Sequence, residues 1–311
     1  MTVGTSAQGA LSTLYMEPGA SPHTFDSSSE RYEFLHENLR LVEKINYSNG
    51  ITGTRSERVE QTRKGTRMVR GVIVMNVSPT YLVTLLPRIL GAAASGGLGA
   101  QTFAVAETLP TFGVLIDRVA DTFQAADCYV NRAFISGEQQ DPEDERPNFI
   151  TLALEIFGKE ETQAVAIPVI ARPTTADYSY FIYDDLVATL VAATRELKKF
   201  QLLIHNHLHT RWVNSATPTS ICPKHRSIVF NCDNPFTTTD SALYNQLYTG
   251  SAGSLAFTNG NCSATFSFGA LQVPRKSPVV PGKTELDLEL TAFARMVNTT
   301  RELSVLLDSV P

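Results

Sequence analysis

Three histidines at alternate positions are the residues of this chain whose types and spacing best suit chemistry. His205, His207 and His209 are separated by single residues. Alternate residues of a β-strand point to the same face, so three imidazole rings on one strand can converge on a metal ion. Folding would have to bring in an acidic partner such as Asp233 or Asp240. One interpretation is therefore a metal-dependent β-sandwich enzyme, and the other is a polar strand face that a neighbour partly covers.

Other motifs with catalytic potential each lack a required feature. Gly96-Gly-Leu-Gly99 is not followed by the Lys-Ser or Lys-Thr of a phosphate-binding loop, and Gly250-Ser-Ala-Gly253 has the wrong spacing for a nucleophile elbow. The four cysteines form no C-x-x-C pair, which is typical of reduced, mostly buried thiols. Trp212 is predicted to be a packing or interface anchor. The sequence thus predicts no catalytic residue, no cofactor and no metal. The cysteines are Cys128, Cys222, Cys232 and Cys262.

Two polar segments of opposite charge are the other candidate functional residues. The first is predicted to be a long β-hairpin or a mobile loop, since it offers little that is apolar to anchor it. The second is an acidic loop that precedes Pro147. The basic residues are Arg55, Arg58, Arg63, Lys64, Arg67 and Arg70, and the acidic residues are Glu138, Asp141, Glu143, Asp144 and Glu145.

Length and composition favour a globular protein of two domains. The chain has 311 residues, of which 43% are hydrophobic and 18% charged. Its net charge of −5 argues against a protein that wraps nucleic acid, because such proteins are basic. No apolar run approaches the ~20 residues that span a bilayer, and the first 29 residues do not read as a signal peptide. We therefore expect no membrane association.

Strand patterns dominate the chain, and one helix is well marked. Ser78 and Pro79 provide a cap and a first helical residue, and Gly91 ends the predicted helix. A second short helix is predicted near Thr239 to Tyr248. The segment from Asp184 to Lys199 has a helical period, but its β-branched residues leave it ambiguous. Asn259-Gly260 predicts a hairpin turn. Strands are predicted at 11–16, 34–47, 72–77, 114–118, 128–136, 165–170, 200–208, 227–231, 254–258, 264–271, 285–293 and 301–310.

A β-rich unit occurs twice in the chain. Ile150-Thr-Leu-Ala-Leu-Glu-Ile-Phe-Gly-Lys159 and Leu286-Asp-Leu-Glu-Leu-Thr-Ala-Phe-Ala-Arg295 share one pattern at an offset of 136 residues. A strand, a proline, a short helix and a glycine also follow both Arg70 and Arg226. A repeat this long predicts two similar domains in an α+β fold that is mostly antiparallel β. Two similar domains in one chain halve the number of chains that a symmetric ring needs.

The order of several short motifs resembles one protein family, the tail tube protein (major tail protein) of long, flexible-tailed bacteriophages. The resemblance covers roughly Leu11 to Arg295, and no single motif is specific. The motifs are Gly53-Thr-Arg-Ser-Glu-Arg58, Arg63-Lys-Gly-Thr-Arg67, Gly71-Val-Ile-Val-Met-Asn-Val-Ser-Pro79, Leu85-Leu-Pro-Arg-Ile-Leu-Gly91, Leu115-Ile-Asp-Arg118, Val130-Asn-Arg132, Leu255-Ala-Phe-Thr-Asn-Gly260 and Val280-Pro-Gly-Lys283.

The resemblance implies a structural subunit and no enzyme. Each domain would be a β-sandwich, or half-barrel, with a short flanking helix. The expected organisation is an N-terminal arm at 1–30 and two tail-tube domains at 31–176 and 177–311. Chains would join edge to edge into rings, and the repeat favours rings of three chains with pseudo-six-fold symmetry. Stacked rings would form the tube through which viral DNA passes.

The family also implies where the chain works and with what. Its partners would be its own copies, laterally and axially, the tail terminator and tail-tip proteins, and a tape-measure protein inside the tube. It would be assembled in the host cytoplasm and become part of the virion tail. We hypothesise that the basic and acidic segments join neighbouring rings. A monomeric virion decoration module is a further alternative, and its oligomeric state would distinguish it from a tube subunit.

Overall fold

The computed structural model describes most of the chain. The described residues are 9–27, 29–50, 53, 56, 58–97, 99–141, 143, 147–169, 179–236, 248–260, 262–274, 280 and 286–308.

The first part of the chain contains eleven of the described strands and the helix α1. Short 3-10 turns occur at Gly9–Leu11 and Val59–Gln61. The elements are β1 (Thr13–Pro18), β2 (Glu30–Tyr32), β3 (His36–Glu37), β4 (Arg40–Tyr47), β5 (Thr62–Asn76), α1 (Pro79–Leu90), β6 (Ser95–Gly96), β7 (Ala100–Ala104), β8 (Phe112–Asp117), β9 (Thr122–Glu138), β10 (Thr151–Gly158) and β11 (Glu160–Gln163).

The second part begins with a 3-10 turn at Tyr183–Asp185 and then consists of strands. They are β12 (Leu186–Leu190), β13 (Ala193–Arg195), β14 (Lys199–His205), β15 (His209–Arg211), β16 (Ser220–Cys222), β17 (Ser227–Pro235), β18 (Ser251–Asn259), β19 (Cys262–Gln272), β20 (Asp287–Arg295) and β21 (Leu303–Asp308). No helix among the described residues is long and apolar enough to cross a bilayer.

One long antiparallel sheet runs through both parts of the chain. Its strand order is β4-β5-β10-β9-β14-β17-β20. Alternate residues of each strand are buried. In β14, for example, Phe200, Leu202 and Ile204 face the core while the residues between them do not. This alternation is the pattern that predicted the strands, and it gives the sheet one core face and one opposite face.

Two further groups of strands complete the β-sandwich. The first part of β9 belongs to the order β2-β1-β8-β9-β11. The other group has the order β13-β12-β18-β19-β21-β7-β6 and joins the long sheet through β19 and β20. The main hydrophobic core contains buried residues from all of these strands except β3, β4, β6, β11 and β13, together with α1. The α+β class with mostly antiparallel strands is therefore confirmed.

The order of neighbouring strands occurs twice. The set β2-β1-β8-β9-β11 corresponds to β13-β12-β18-β19-β21, and β4-β5-β10 corresponds to β14-β17-β20. The two similar sequence stretches lie on the corresponding strands β10 and β20. The domain boundaries given above remain a prediction. Strand β1, within the expected arm, pairs with β8 along its whole length.

The helix α1 begins and ends where its local signals predicted. Pro79 is its first residue, and Gly91 follows it with a left-handed φ of 99°. A side chain at Gly91 would also meet the carbonyl oxygen of Thr108 at 2.2 Å, so glycine is needed there for space as well as for φ. Ser78 is the N-cap residue by position, but its side chain makes no capping hydrogen bond.

Three segments differ from, or sharpen, the predictions. The predicted strand at 165–170 is wrong, since residues 165–169 form no strand and β11 ends before them. The ambiguous segment from Asp184 to Lys199 is a 3-10 turn followed by β12 and β13, and not a helix. The basic segment is a hairpin of β4 and β5, which pair as far as Tyr47 and Thr62. The predicted helix near Thr239 lies almost wholly outside the described residues.

Candidate functional site

Two cations of the basic hairpin are held by contacts within the chain. Arg67 donates to the carboxylate of Glu160 at 2.6 Å. The guanidinium of Arg70 lies 4.3 Å from the centre of the Phe157 ring, a cation–π distance. These two arginines therefore stabilise the hairpin on its own sheet.

The other described cations of the hairpin point into solvent. Arg58, Arg63 and Lys64 are exposed, and Arg58 precedes the 3-10 turn between the two strands. Arg55 lies outside the described residues. These three side chains are the part of the basic segment best placed to contact another molecule.

The acidic segment begins at the end of β9. Glu138, Asp141 and Glu143 are exposed. The Asp141 carboxylate accepts a hydrogen bond of 3.0 Å from the backbone amide of Glu143. Asp144 and Glu145 lie outside the described residues. The described acids form a negatively charged turn at one end of the long sheet.

The basic and acidic segments lie at opposite ends of the long sheet. Asn76 at the end of β5 pairs with Thr151, which pairs with Ser136 next to the acidic turn. Arg63 is at the start of β5, thirteen residues from Asn76. At the usual strand rise this separates the two charges by roughly 40 Å. The segments therefore do not meet within one chain, although their signs suit contact between copies.

The long sheet also has two lateral edges. Among the described strands, β4 pairs only with β5, and the amide of Leu41 is bonded to the Glu161 carboxylate. At the other edge, β20 meets β19 only over Phe293 to Arg295. No described strand lies on that side of Asp287 to Thr291. Unpaired sheet edges favour association with another strand.

Three histidine rings stack at the end of β14, but they are not the three that the spacing suggested. The centres of the His205 and His207 rings are 3.5 Å apart, and those of His207 and His225 are 3.9 Å apart. His209 instead lies on β15, opposite Cys222. The prediction that rings 205, 207 and 209 converge is wrong. His207 has a positive φ of 44°, so the strand breaks before His209.

The geometry of the histidine stack does not suit a metal ion. In nearly parallel rings the nitrogen lone pairs point side by side and not toward one point. The described residues include no group of three or more His, Cys, Asp or Glu side chains that could hold a metal. The rings have other partners: Arg132 donates to His205 Nε2 at 3.3 Å, and His207 Nε2 lies 2.9 Å from the Ser227 hydroxyl.

Burial and neighbouring charges lower the pKa of two histidines of the stack. Burial, with the rings of His207 and His225 and the Arg132 guanidinium, lowers the pKa of His205 to about 4. Burial, His225 and Arg132 also lower the pKa of His207. The Arg132 hydrogen bond requires an unprotonated His205 Nε2, which agrees with this direction. The Glu155 carboxylate lies 3.3 Å from the Arg132 guanidinium.

We expect the fold to lose stability as the pH falls below about 6.5. As the pH falls, the unfolded chain binds protons at His205 and His207 before the folded chain does, because folding lowers the pKa of both rings. The stabilising effect of the neutral rings is therefore complete above the unfolded pKa and decreases toward pH 4. Melting temperatures between pH 7.5 and 4.5 should fall less in His205→Gln than in the wild type. His36→Gln, which changes an exposed histidine on β3, is the control. Parallel curves for all three proteins would contradict the prediction.

The segment between β14 and β17 folds across the face of the long sheet that lies opposite the core. Trp212 and Leu208 pack there against a small apolar cluster. The cluster buries Met68, Phe157 and Ile221. The backbone amide of Arg67 also donates to Ala216 in this segment at 2.7 Å. Trp212 is thus a packing anchor between the two parts of the chain, as predicted.

Sequence reasoning missed His225 and Arg132. Arg132 occurs in the motif Val130-Asn-Arg132, but nothing in that motif relates it to a histidine. The pairing of β14 with β9 brings Arg132 to His205, and the pairing of β14 with β17 brings His225 to His207. The nearest signal was the strand pattern itself, whose register fixes which residues lie side by side.

The chain was matched by one known family. The family described as phage tail tube protein matches residues 2–292. No curated protein matches the chain significantly. The family predicted from the order of the motifs is therefore confirmed.

Proposed function

Because its match extends over nearly its whole length, the chain belongs to the phage tail tube protein family, and we propose that its copies form three-chain rings that stack into a tube conducting viral DNA. It is a structural subunit of the virion tail. The observation that supports the ring proposal best is the repeated strand order, since three chains with two equivalent units each give six similar positions around a ring.

The junction between β9 and β14 suggests how one copy could meet the next. Inside the chain, β14 continues the sheet begun by the first unit, with Leu202 opposite Ile135. Strand β4 corresponds to β14 and has no described partner on its outer side. We propose that β4 continues the sheet from the end of a second copy that β19 and β20 form, because β19 is the counterpart of β9. Closing the sheet around a ring would remove both open edges.

The charges at the two edges favour this lateral contact. Arg40 and Lys44 are exposed on β4. Asp287 and Glu289 are exposed on β20, and Asp287 also pairs with Lys198 of its own chain at 2.6 Å. Opposite charges across an interface raise the association rate and fix register more than they raise affinity. The edges are therefore complementary in charge as well as in hydrogen bonding.

The opposite charges at the two sheet ends support axial stacking. A contact between the basic end of one copy and the acidic end of the next is heterologous, so it repeats along a tube without closing. Each exposed pair would contribute only ~0–1 kcal/mol, but a ring presents many copies at once. The pairs would set the register between rings while other contacts provide most of the affinity.

We assign the bore of the proposed tube to the sheet face opposite the core. One row across this face is made of uncharged polar side chains, which would not retain phosphate groups as lysine or arginine would. The next row is apolar. The rows beyond these two carry Lys199 and Arg132. Each of these cations is paired with an acid of the chain, Asp233 and Glu155 respectively. The polar row is Asn76, Thr151, Ser136, Gln201, Asn231 and Thr291, and the apolar row is Val74, Ala153, Phe134, Leu203, Val229 and Phe293.

The remaining partners are proposed from the family alone. They are the tail terminator and tail-tip proteins at the ends of the tube and a tape-measure protein inside it. Assembly would take place in the host cytoplasm before the tail joins the virion.

Charge reversal at the basic end tests the stacking proposal. We expect Arg63→Glu with Lys64→Glu to form rings but few or no long tubes, because the acidic end would repel them. Arg67 and Arg70 are left unchanged because both have partners within the chain. Negative-stain electron microscopy should show hollow rods for the wild type and for Arg301→Glu, which reverses an exposed cation outside the hairpin.

A compensating change makes this test specific. Asp141→Lys with Glu143→Lys, added to the hairpin variant, should restore long tubes. Tubes of normal length from the hairpin variant alone would remove the axial role of these cations. A wild type that stays monomeric at high concentration would remove the tube proposal itself.

A further inference from the structure

The acidic end of the long sheet contains a groove beside the acidic turn. Its volume is about 370 Å³. The groove lies over the ends of β9, β10 and β14, beside the acidic turn. Its apolar lining includes Pro147, Phe149 and Phe200, and its polar lining includes Glu138, Gln140 and Lys199. Phe149 is 37% exposed, so an aromatic surface is available there.

The opposite end of the same sheet presents apolar side chains that nothing in the described part of the chain covers. Ile45 is 49% exposed, Tyr47 63% and Val59 82%. All three belong to the basic hairpin, and Tyr47 is held by its strand pairing with Thr62. A group of exposed apolar residues rimmed by charges is typical of an interaction site.

We propose that Tyr47 of one copy inserts into this groove of the next copy along the tube. Tyrosine suits the groove because its ring can pack on Phe149 while its hydroxyl reaches the polar lining. Tyrosine is also among the residues that most often dominate binding energy. The exposed cations Arg58, Arg63 and Lys64 would then face the acidic turn. This inference rests on the proposed function and names the contact that provides the axial affinity.

A second copy is the occupant that the charges and the geometry favour. The acidic turn beside the groove and the basic hairpin have opposite charge and lie at opposite ends of one sheet. A contact between two copies therefore leaves one groove and one hairpin free to bind further copies. Tyr47 lies on β4, and β5 and β10 separate β4 from β9. A stacked copy therefore needs a sideways shift of ~15 Å, three strand spacings, to place Tyr47 over the groove.

Engineered cysteines test the contact directly. The background is Cys222→Ser, which removes the exposed thiol and leaves the three buried ones. Tyr47→Cys with Gln140→Cys should form a ladder of covalent oligomers on oxidation, because a disulfide requires close approach of the two sites. The control pairs Gln140→Cys with Val187→Cys, an exposed position on another sheet, and should form no ladder.

Assembly measurements separate this inference from the function on which it rests. Tyr47→Ala should raise the concentration needed for tube formation about tenfold or more, which corresponds to ~1.4 kcal/mol. Tyr47→Phe should change it less than threefold, and the melting temperature of the monomer should stay constant in both. Wild-type tubes without a ladder, together with normal assembly of Tyr47→Ala, would overturn the inference and leave the tube intact. Absence of wild-type rings and tubes would overturn both.

Discussion

Replacing Glu30 by alanine should lower the free energy of unfolding by about 3–5 kcal/mol, because it leaves a buried cation without its counter-ion. Arg88 on α1 has a side chain that is only 5% exposed, and it contacts the Glu30 carboxylate at 2.6 Å. Arg88 also donates to the Tyr32 hydroxyl at 2.9 Å, and that hydroxyl donates to Glu30 at 2.6 Å. Although burial opposes the charge, Tyr32 and Glu30 hold the pKa of Arg88 above its ordinary value.

Urea unfolding of a small set of variants would check this loss. Glu30→Ala with Arg88→Met should recover much of the stability, since a buried pair can be exchanged for an apolar side chain at little cost. Glu107→Ala is the control, because Glu107 is exposed and only loosely paired with Arg301 at 3.5 Å. Equal stability of the Glu30 and Glu107 variants would show that the ion pair does not stabilise the fold.

This ion pair connects local structure to assembly. It joins β2 to the helix that covers the core face of the sheet. Strand β2 pairs with β1, which pairs with β8, so the ion pair connects all three strands to the helix. A chain that loses this fastening should release its first β-group before the long sheet separates. Loss of tubes in Glu30→Ala would then follow from instability and not from a missing contact, so assembly should be measured well below its melting temperature.

Elements fixed by neighbouring residues could be predicted from the sequence. The helix from Pro79 to Leu90 needed only a proline at its start and a glycine at its end. The turn at Asn259 and Gly260 joins β18 and β19 as predicted, with Gly260 at a φ of 59°. In each case the signal and the structure lie within a few residues of each other.

Features that depend on distant pairing could not be predicted. Alternation identified 165–170 as a strand, but a strand also needs a partner, and none lies beside residues 165–169 in the described structure. The histidine spacing placed His209 with His205, whereas the break at His207 and the register of β17 bring His225 there instead. One sequence gives the face of a strand but not the identity of its neighbour.

Distant pairing also holds the junction between the two units together. Asn206 follows β14 and is 1% exposed. Its side-chain amide donates to the carbonyl oxygens of Val130 on β9, at 3.0 Å, and Ile89 on α1, at 3.1 Å. Its backbone amide donates to Asn131 at 2.9 Å. One residue of the second unit thus binds two elements of the first.

We expect Asn206→Ala to lower the free energy of unfolding by about 2–4 kcal/mol, because two buried carbonyl groups lose their donor. Asn234→Ala is the matched control. Asn234 is similarly buried, at 2%, but within the described part of the chain its side chain makes one long hydrogen bond, of 3.4 Å, to the adjacent Pro235. Asn234→Ala should therefore lower the free energy of unfolding clearly less than Asn206→Ala does. Similar losses in both variants would mean that burial, and not the hydrogen bonds across the junction, determines the effect.

Hydrogen exchange can show whether this loss is confined to the junction. If Asn206 fastens the second unit to the first, the amides of β14 and β9 should exchange faster in Asn206→Ala, while those of β18 and β19 keep their protection. The junction is also the internal counterpart of the contact proposed between copies.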